Sequence, residues 1–388
     1  MYQTMEHLLL FQHIDTYGAR LRMEGISAFA REIGWDVQCY EEHVDAASLA
    51  EIMALWHPVG AILGPSTGRI EYDARLFSPE STVLLDSFPP HGLERFTTVI
   101  TDSVAVTERV ARELLSAKCA SYGFVPWHTT RLWSENRQHN FAKILAAQGR
   151  RLNVFTPSRQ GLEIRELQRE LVPWLKALPK PCGIYAANDR VGTHVLSACK
   201  LACVEVPFDC IIVGVDNNGK VCEGENPTLS SITLDFYGSG YRAARQLNEL
   251  IHGRLPDKPL ISLPPLEFAR RNSSRIFLQT DRDVLRASEI IRAQACEGLT
   301  AQDVFRLFTC SRRLAEIRFR KATGRSVLEE IRAVRIEKAK NLLRDPRRAL
   351  SVVAELCGYE SDTTFRRIFK EETGMTLREY QRSVQPRI

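Results

Sequence analysis

The apolar residues of this chain change their spacing once, near Asp281, and that change limits the fold more than any other feature. Up to about residue 277, short apolar runs alternate with amphipathic helical stretches. Residues 8–11 (LLLF) read as a strand and residues 23–30 as part of a helix; residues 35–37, a helix around 49–56 and a buried strand at 61–65 follow. Further strands are expected at 82–85, 122–125, 152–155, 184–186 and 211–215. Strand–helix repetition of this kind builds parallel sheets covered by helices on both faces. Eight or more such units exceed one doubly wound sheet, so the pattern predicts an α/β region of two lobes with a cleft between them. Ligands bind such sheets beyond the carboxyl ends of the strands, which directs attention to the polar residue after each apolar run.

Beyond Asp281 the strand signals stop. The tail is rich in Arg, Glu, Ala and Leu, is broken at Gly298, Gly324, Asp345-Pro346, Gly358 and Gly374, and is expected to be all-α. The polar stretch 270–274 precedes a domain boundary placed at 277/278, which gives domains 1–277 and 278–388. A length of 388 residues agrees with two or three domains. Charge is divided in the same way. Residues 281–388 carry 23 Lys/Arg against 16 Asp/Glu, while the rest, with 29 basic and 31 acidic residues, is close to neutral. A basic end on a near-neutral body is the footprint of a phosphate-binding module.

An apolar content of 44% with 26% charged residues excludes a disordered chain. No apolar run approaches the roughly 18 residues that a membrane span needs. The first residues lack the basic start and small-residue cleavage site of a secretory signal, so a cytoplasmic protein without membrane contact is expected. Ten scattered cysteines without a CxxC pair read as buried free thiols, and His194, Cys199 and Cys203 as helix core rather than metal ligands. No GxxxxGK[ST], HExxH or GxSxG motif is present, so neither catalysis, metal nor cofactor is expected.

The tail contains one short pattern twice. In the second copy, residues 350–356 form a short helix with Leu350, Val353, Ala354 and Leu356 on its apolar face, and Cys357-Gly358-Tyr359 supplies the turn. Ser361 or Asp362 caps a helix that buries Phe365 and Phe369 and turns Asp362, Thr363, Arg366 and Arg367 outward. The first copy begins with the capping-box spacing Thr300–Asp303, continues through Val304, Leu307 and Phe308, and turns at Thr309-Cys310. Ser311 caps its second helix, which buries Ala315 and Phe319 and exposes Arg312, Arg313 and Glu316. The two units span about 300–320 and 350–370. A helix over about 326–344, with Ile331, Val334, Leu342 and Leu343 inward, joins them. Helix, turn and helix with a polar, basic outer face is the geometry that enters a DNA major groove. A rigid connector would hold two such helices about 34 Å apart, one turn of duplex.

Leu350, Ala354, Gly358-Tyr359, Phe365, Arg367, Phe369-Lys370, Gly374 and Tyr380 in the second copy resemble the DNA-binding domain of the arabinose-operon-regulator family. Phe319 and Gly324 in the first copy, and Arg335 and Ala339 on the connector, fit the same pattern. The resemblance implies that both reading helices enter successive major-groove segments. It implies base-facing roles for Arg312, Arg313 and Glu316, and for Asp362, Thr363 and Arg367, with Arg366 beside them. Arg pairs with guanine, and Glu accepts from cytosine. The chain departs from the family pattern at Phe305, Thr309, Ala315, Ile317 and Leu377, which implies that the first copy reads fewer bases or reads them less tightly.

The upstream region resembles the lactose-repressor and periplasmic sugar-binding family in residues 183–189 (GIYAAND), 211–217 (IIVGVDN), 227–232 (PTLSSI) and 99–102 (VITD). The resemblance covers nearly all of residues 8–275. It nominates Asp102, Arg137, Asn188 and Asp216 as ligand contacts. A sugar needs carboxylates and amides along its hydroxyl edge, a forked donor and an aromatic face, and these residue types supply the first two. Trp133, equally at home in a core, and Tyr17 are rim candidates, with Asp15, Trp127 and Glu135 more loosely placed. Asp189 is expected to cap the following helix. Leu234 stands where many relatives have Gln, which implies an altered hydroxyl pattern.

A sensor placed ahead of a C-terminal reader resembles the arrangement of bacterial xylose-operon regulators. The expected protein is a homodimeric, sugar-responsive regulator that binds an operator in double-stranded DNA, and RNA polymerase as well if it activates. A solute-binding receptor for transport and a regulator responding to a non-sugar metabolite are the alternatives.

Overall fold

The computed structural model describes residues 6–41, 44–65, 73–86, 94–127, 132–159, 161–254, 256, 259–275, 282–343 and 350–383. The expected boundary at 277/278 and the break at Asp345-Pro346 lie outside them. The chain divides into two compact units, residues 1–225 with 229–274, and residues 226–228 with 275–388.

The first unit contains two six-stranded sheets. One takes β1 (Glu6–Phe11), β2 (Trp35–Tyr40), β3 (Gly60–Leu63), β4 (Thr82–Leu85) and β5 (Thr97–Thr101). The other takes β6 (Ser121–Val125), β7 (Leu152–Val154), β8 (Cys182–Ala186), β9 (Cys210–Asp216) and β10 (Ser230–Thr233). Late strands β11 (Leu260–Leu263) and β12 (Phe268–Ala269) complete the orders β11-β5-β4-β3-β1-β2 and β12-β10-β9-β8-β6-β7. All pairings are parallel except β10 with β12, with Leu8 opposite Val37 and Leu10 opposite Ile62 in the first sheet. Leu8–Phe11 read as a continuous apolar run because all four are buried, with helices covering both faces. The chain therefore passes between the lobes three times, after β5, after β10 and after β11.

Helices α1 (Tyr17–Ile33) and α2 (Ala46–Trp56) belong to the first lobe. Helices α3 (Ser103–Ser116), α4 (Leu132–Ala146), α5 (Ile164–Ala177), α6 (Asp189–Ala202) and α7 (Gly219–Gly224) follow, and α8 (Phe236–Ile251) returns to the first lobe. Thr16 caps α1 by accepting from the Ala19 amide, and Gly34 ends it in the left-handed conformation. Helices α1 and α8 meet backbone to backbone. A Cβ at Gly25 would lie 2.0 Å from the Tyr237 carbonyl oxygen, and one at Gly240 2.1 Å from that of Arg22. This close crossing turns a charged residue of α1, Arg22, inward.

In the second unit, the described residues form α9 (Arg282–Gln294), α10 (Ala301–Phe305), α11 (Arg312–Thr323), α12 (Val327–Leu343), α13 (Val353–Leu356), α14 (Asp362–Thr373) and α15 (Leu377–Ser383), with no strand among them. Thr300 and Asp303 form the expected capping box. Helix α12, about 25 Å long at 1.5 Å per residue, joins two helix–turn–helix units. The short helix before the second turn differs from expectation in one place. Leu356 is 44% exposed and Cys357 is fully buried in its stead. The sulfur acts as a small apolar side chain, and the 3-10 turn at Leu350–Val352 shifts the inward face by one residue.

Gly358 has φ +75°, and a Cβ there would meet the Cys296 carbonyl oxygen at 2.8 Å. Gly358→Ala is expected to destabilise this unit by at least about 2 kcal/mol, the left-handed penalty plus a backbone clash. Gly374→Ala, at φ +73° with open space around it, is expected to lose only about 1 kcal/mol. Denaturant unfolding followed by far-ultraviolet circular dichroism compares the two; equal losses would mean that the turn is not packed against Cys296.

Candidate ligand cleft and candidate nucleic-acid interface

Strand ends in the sensor region bring polar groups from both lobes to one place. Asp102 follows β5 at the first passage between lobes, and its Oδ1 accepts from the Ala105 amide at 2.9 Å, capping α3. Asn188 follows β8 and caps α6 through Oδ1, which accepts from Val191 N–H at 3.0 Å. Asp189, expected to be that cap, is instead buried. Its carboxylate accepts from the Ser231 hydroxyl at 2.5 Å and from Asn218 N–H at 2.8 Å, tying α6 to β10 and to the loop after β9. An Asn at the cap position satisfies the helix end without a charge and leaves the next side chain to turn inward.

Asp216 ends β9 at φ +112°, followed by Asn217 at φ +52°. Two consecutive non-glycine residues in this region are strained, a state that persists where the surroundings over-determine it. Asn217 donates from Nδ2 to Thr233 Oγ1 at 2.9 Å, while its Oδ1 has no hydrogen-bond partner. From the same lobe, Arg137 of α4 is 4% exposed. Its Nη1 donates to the Ala187 carbonyl at 2.5 Å, its guanidinium carbon lies 4.8 Å from the Trp133 ring centroid, and its Nε is unpaired.

The opposite lobe contributes an ion pair absent from the sequence-based expectations. Arg22 donates from Nη2 to Asp86, the residue after β4, and stacks 4.7 Å from the Phe236 ring centroid; its Nε is unpaired. Asp86 (φ +53°) accepts from the Thr101 amide at 3.0 Å and hydroxyl at 3.2 Å. Gln12, after β1, donates to the Ala19 carbonyl and leaves Oε1 unpaired.

The Asp216 carboxyl shows that these groups converge. Burial and the Asp189 carboxylate push it up to about 8, the Arg137 and Arg22 guanidiniums pull the other way, and Asp86 adds a further upward push. Burial likewise raises Asp189 to about 6 against its hydrogen bonds from Ser231 and Asn218. Charges of both lobes therefore act on one carboxyl.

The rim is aromatic. Tyr17 opens α1 edge-on to Phe236 at 6.2 Å, and Trp127 and Trp133 lie 6.3 Å apart. Asp15 is exposed and accepts from Arg20 through its backbone carbonyl. Glu135 lines a groove along edge strand β7 with Gln138, His139, Arg150 and Arg151. Leu234 is buried in the same apolar cluster as Phe236. All ten cysteines are free, and no metal-holding group occurs among the described residues; Cys199 is buried and Cys203 exposed.

In the second unit the helices α11 and α14 are built alike. Ser311 accepts from the Leu314 amide and Ser361 from the Thr364 amide, and each helix ends at a left-handed glycine, Gly324 or Gly374. Ala315 and Phe319, and Phe365, Ile368 and Phe369, are buried. Arg312, Arg313, Asp362, Thr363, Arg366 and Arg367 are exposed and Glu316 is half-buried. Arg312 stacks on Phe305 at 5.1 Å, so the bulky residue in place of a small one positions a base-facing candidate. Arg366 pairs with Asp362 at 2.6 Å and Arg367 with Glu371 at 2.7 Å, exposed pairs worth less than about 1 kcal/mol that a nucleic acid displaces easily. Arg335 of α12 donates to the Ala295 and Leu299 carbonyls and stacks 5.1 Å from the Tyr359 ring, tying the segment before the first helix–turn–helix to the turn of the second.

Residues 111–274 match the periplasmic binding protein-like domain, and residues 305–383 match a helix-turn-helix domain. The first match falls in the two-lobed region and the second in the helical tail. The chain aligns with the Xylose operon regulatory protein of Haemophilus influenzae, 29% identical over 301 residues, 76% of each chain. The namesake of Escherichia coli K12 is 28% identical over 305 residues, 77% of this chain and 76% of the relative. The structure of a xylose-binding transcription activator shares the fold, with a TM-score of 0.64 at 22% identity over all of both chains. Among the described residues of sensor and DNA-binding domain, no helix is long and apolar enough to cross a membrane.

Proposed function

We propose that the chain is a cytoplasmic, sugar-responsive regulator that binds an operator in double-stranded DNA, with an uncharged xylose-like pentose as its effector. The observation that carries this reading is the meeting, around Asp216, of Arg137 from one lobe with the Arg22–Asp86 pair from the other. Asp102, Asn188 and Asn217 follow strands β5, β8 and β9, and Trp133 and Tyr17 are the candidates for flat faces against a sugar's C–H surface. With Asp216 protonated below about pH 8, the Asp86, Asp102 and Asp189 carboxyls are matched by the Arg22, Arg137 and Arg271 guanidiniums, and this balance favours a neutral polyol over a sugar acid or phosphate. A ligand touching both lobes stabilises the arrangement that brings them together, and only such differential affinity transmits a signal. Two copies acting as a homodimer would present four reading helices to an operator, and an activating protein would also meet RNA polymerase. The named relatives favour a pentose over other sugars.

The test is a thermal-shift screen of aldopentoses, aldohexoses and their acids. At a hundred times Kd, the effector should raise the unfolding temperature of the sensor by about 5 °C, from a stabilisation of about 2.7 kcal/mol. A screen in which only anionic sugars shift the protein would reject the uncharged effector.

A further inference from the structure

Two exposed apolar side chains on the first reading helix find no explanation in the packing of the domain. Leu314 is 47% and Ile317 55% exposed on α11, on the side away from buried Ala315 and Phe319. The duplication shows what that side faces. The caps Ser311 and Ser361, the core residues Phe319 and Phe369, and the terminal glycines Gly324 and Gly374 all repeat at the same offset. At that offset Ile317 stands where the second unit has Arg367, and Leu314 where it has Thr364. Ile317 thus holds the place of an exposed arginine on a groove-reading face, on a helix that also carries exposed Arg313, Arg320 and Lys321 for phosphates. Cationic neighbours of this kind place the apolar pair against nucleic acid rather than against a protein core.

We propose that Ile317, supported by Leu314, reads the 5-methyl group of a thymine in the major groove, so that the first unit requires a T·A pair where the second, through Arg367, requires guanine. The proposal rests on the DNA-reading assignment of the tail. The major groove displays the thymine methyl as its one apolar feature, and an aliphatic side chain recognises it by contact alone. An isoleucine has no hydrogen bond to offer a guanine or adenine edge, and a base without the methyl leaves its side chain against bare ring atoms.

The experiment uses the full chain and an operator selected from random duplexes. Each thymine of the selected site is replaced in turn by deoxyuridine, which removes only the methyl. One or two replacements in the segment covered by the first unit should weaken binding about four-fold, the factor that corresponds to one buried methyl. Ile317→Ala should lose the same factor on the thymine operator and become indifferent to the deoxyuridine change. Ile317→Arg, selected afresh, should prefer guanine at that position. Since the side chain is exposed, both variants should keep the wild-type unfolding temperature. Specific binding that tolerates every deoxyuridine, or an alanine variant as methyl-sensitive as the wild type, would overturn the proposal and leave the DNA-reading assignment intact. A chain that selects no duplex at all would overturn both.

Discussion

Asp216→Asn is expected to flatten the pH profile of sensor stability and to weaken the effector by about 5- to 150-fold. The affinity loss corresponds to about 1–3 kcal/mol for a buried polar group left without its partner when the neutral carboxyl gives way to an amide of different donor and acceptor geometry. The profile follows from where the carboxyl releases its proton. An unfolded aspartate does so near 3.8, whereas the folded one holds it up to about 8 because burial and Asp189 disfavour the anion. Below the lower value both states are protonated, and the full contribution to stability is present. As pH rises through the window, the unfolded chain ionises and the folded one does not, so stability falls by at most about 1.4 kcal/mol per pH unit until the folded carboxyl also ionises near 8. Asparagine has no proton to lose. The variant should match the wild type near pH 4 and exceed it increasingly toward pH 8, read from unfolding temperatures across that range. Parallel profiles would show that Asp216 sits in water-like surroundings.

A second large effect is expected at the other end of the chain. Arg367→Ala should weaken operator binding by about 1–3 kcal/mol, roughly 5- to 150-fold, and relax the preference at one base pair. Loss of its pair with Glu371 adds little, since both groups are exposed. The sugar-induced rise in unfolding temperature should be unchanged, because Arg367 lies in the DNA-binding domain. Gel-shift titrations at several salt concentrations distinguish a base contact from a phosphate contact. Loss of a phosphate contact would lower affinity for all sequences alike and reduce the salt slope by about one. Uniform weakening would therefore move Arg367 from the bases to the backbone.

Much of the architecture was legible because both regions follow simple periodicities. Buried parallel strands appear as apolar runs, and the duplicated Ser cap, Phe pair and Gly stop mark each reading helix. The rule that polar residues after apolar runs line a cleft points to Asp102, Asn188 and Asp216. It applies equally to Gln12 after β1 and Asp86 after β4. Arg22 was not legible in that way. It lies within an amphipathic helix, where a charged residue signals the solvent side, and only the close approach of α8 at Gly25 and Gly240 turns it inward. Asn188 rather than the expected Asp189 caps α6 because either side chain can cap a helix, and the choice depends on Ser231 and Asn218, distant in sequence. Short late strands such as β12, two residues long, leave no periodic trace at all.

The grip of Arg335 on two carbonyls of one half and an aromatic ring of the other makes the tail behave like a calliper with locked jaws. An instrument of that kind registers distance as well as lettering. Sites with the right bases but an added or missing base pair between their halves would present the second half rotated out of reach, so the gap between the halves is itself part of the address.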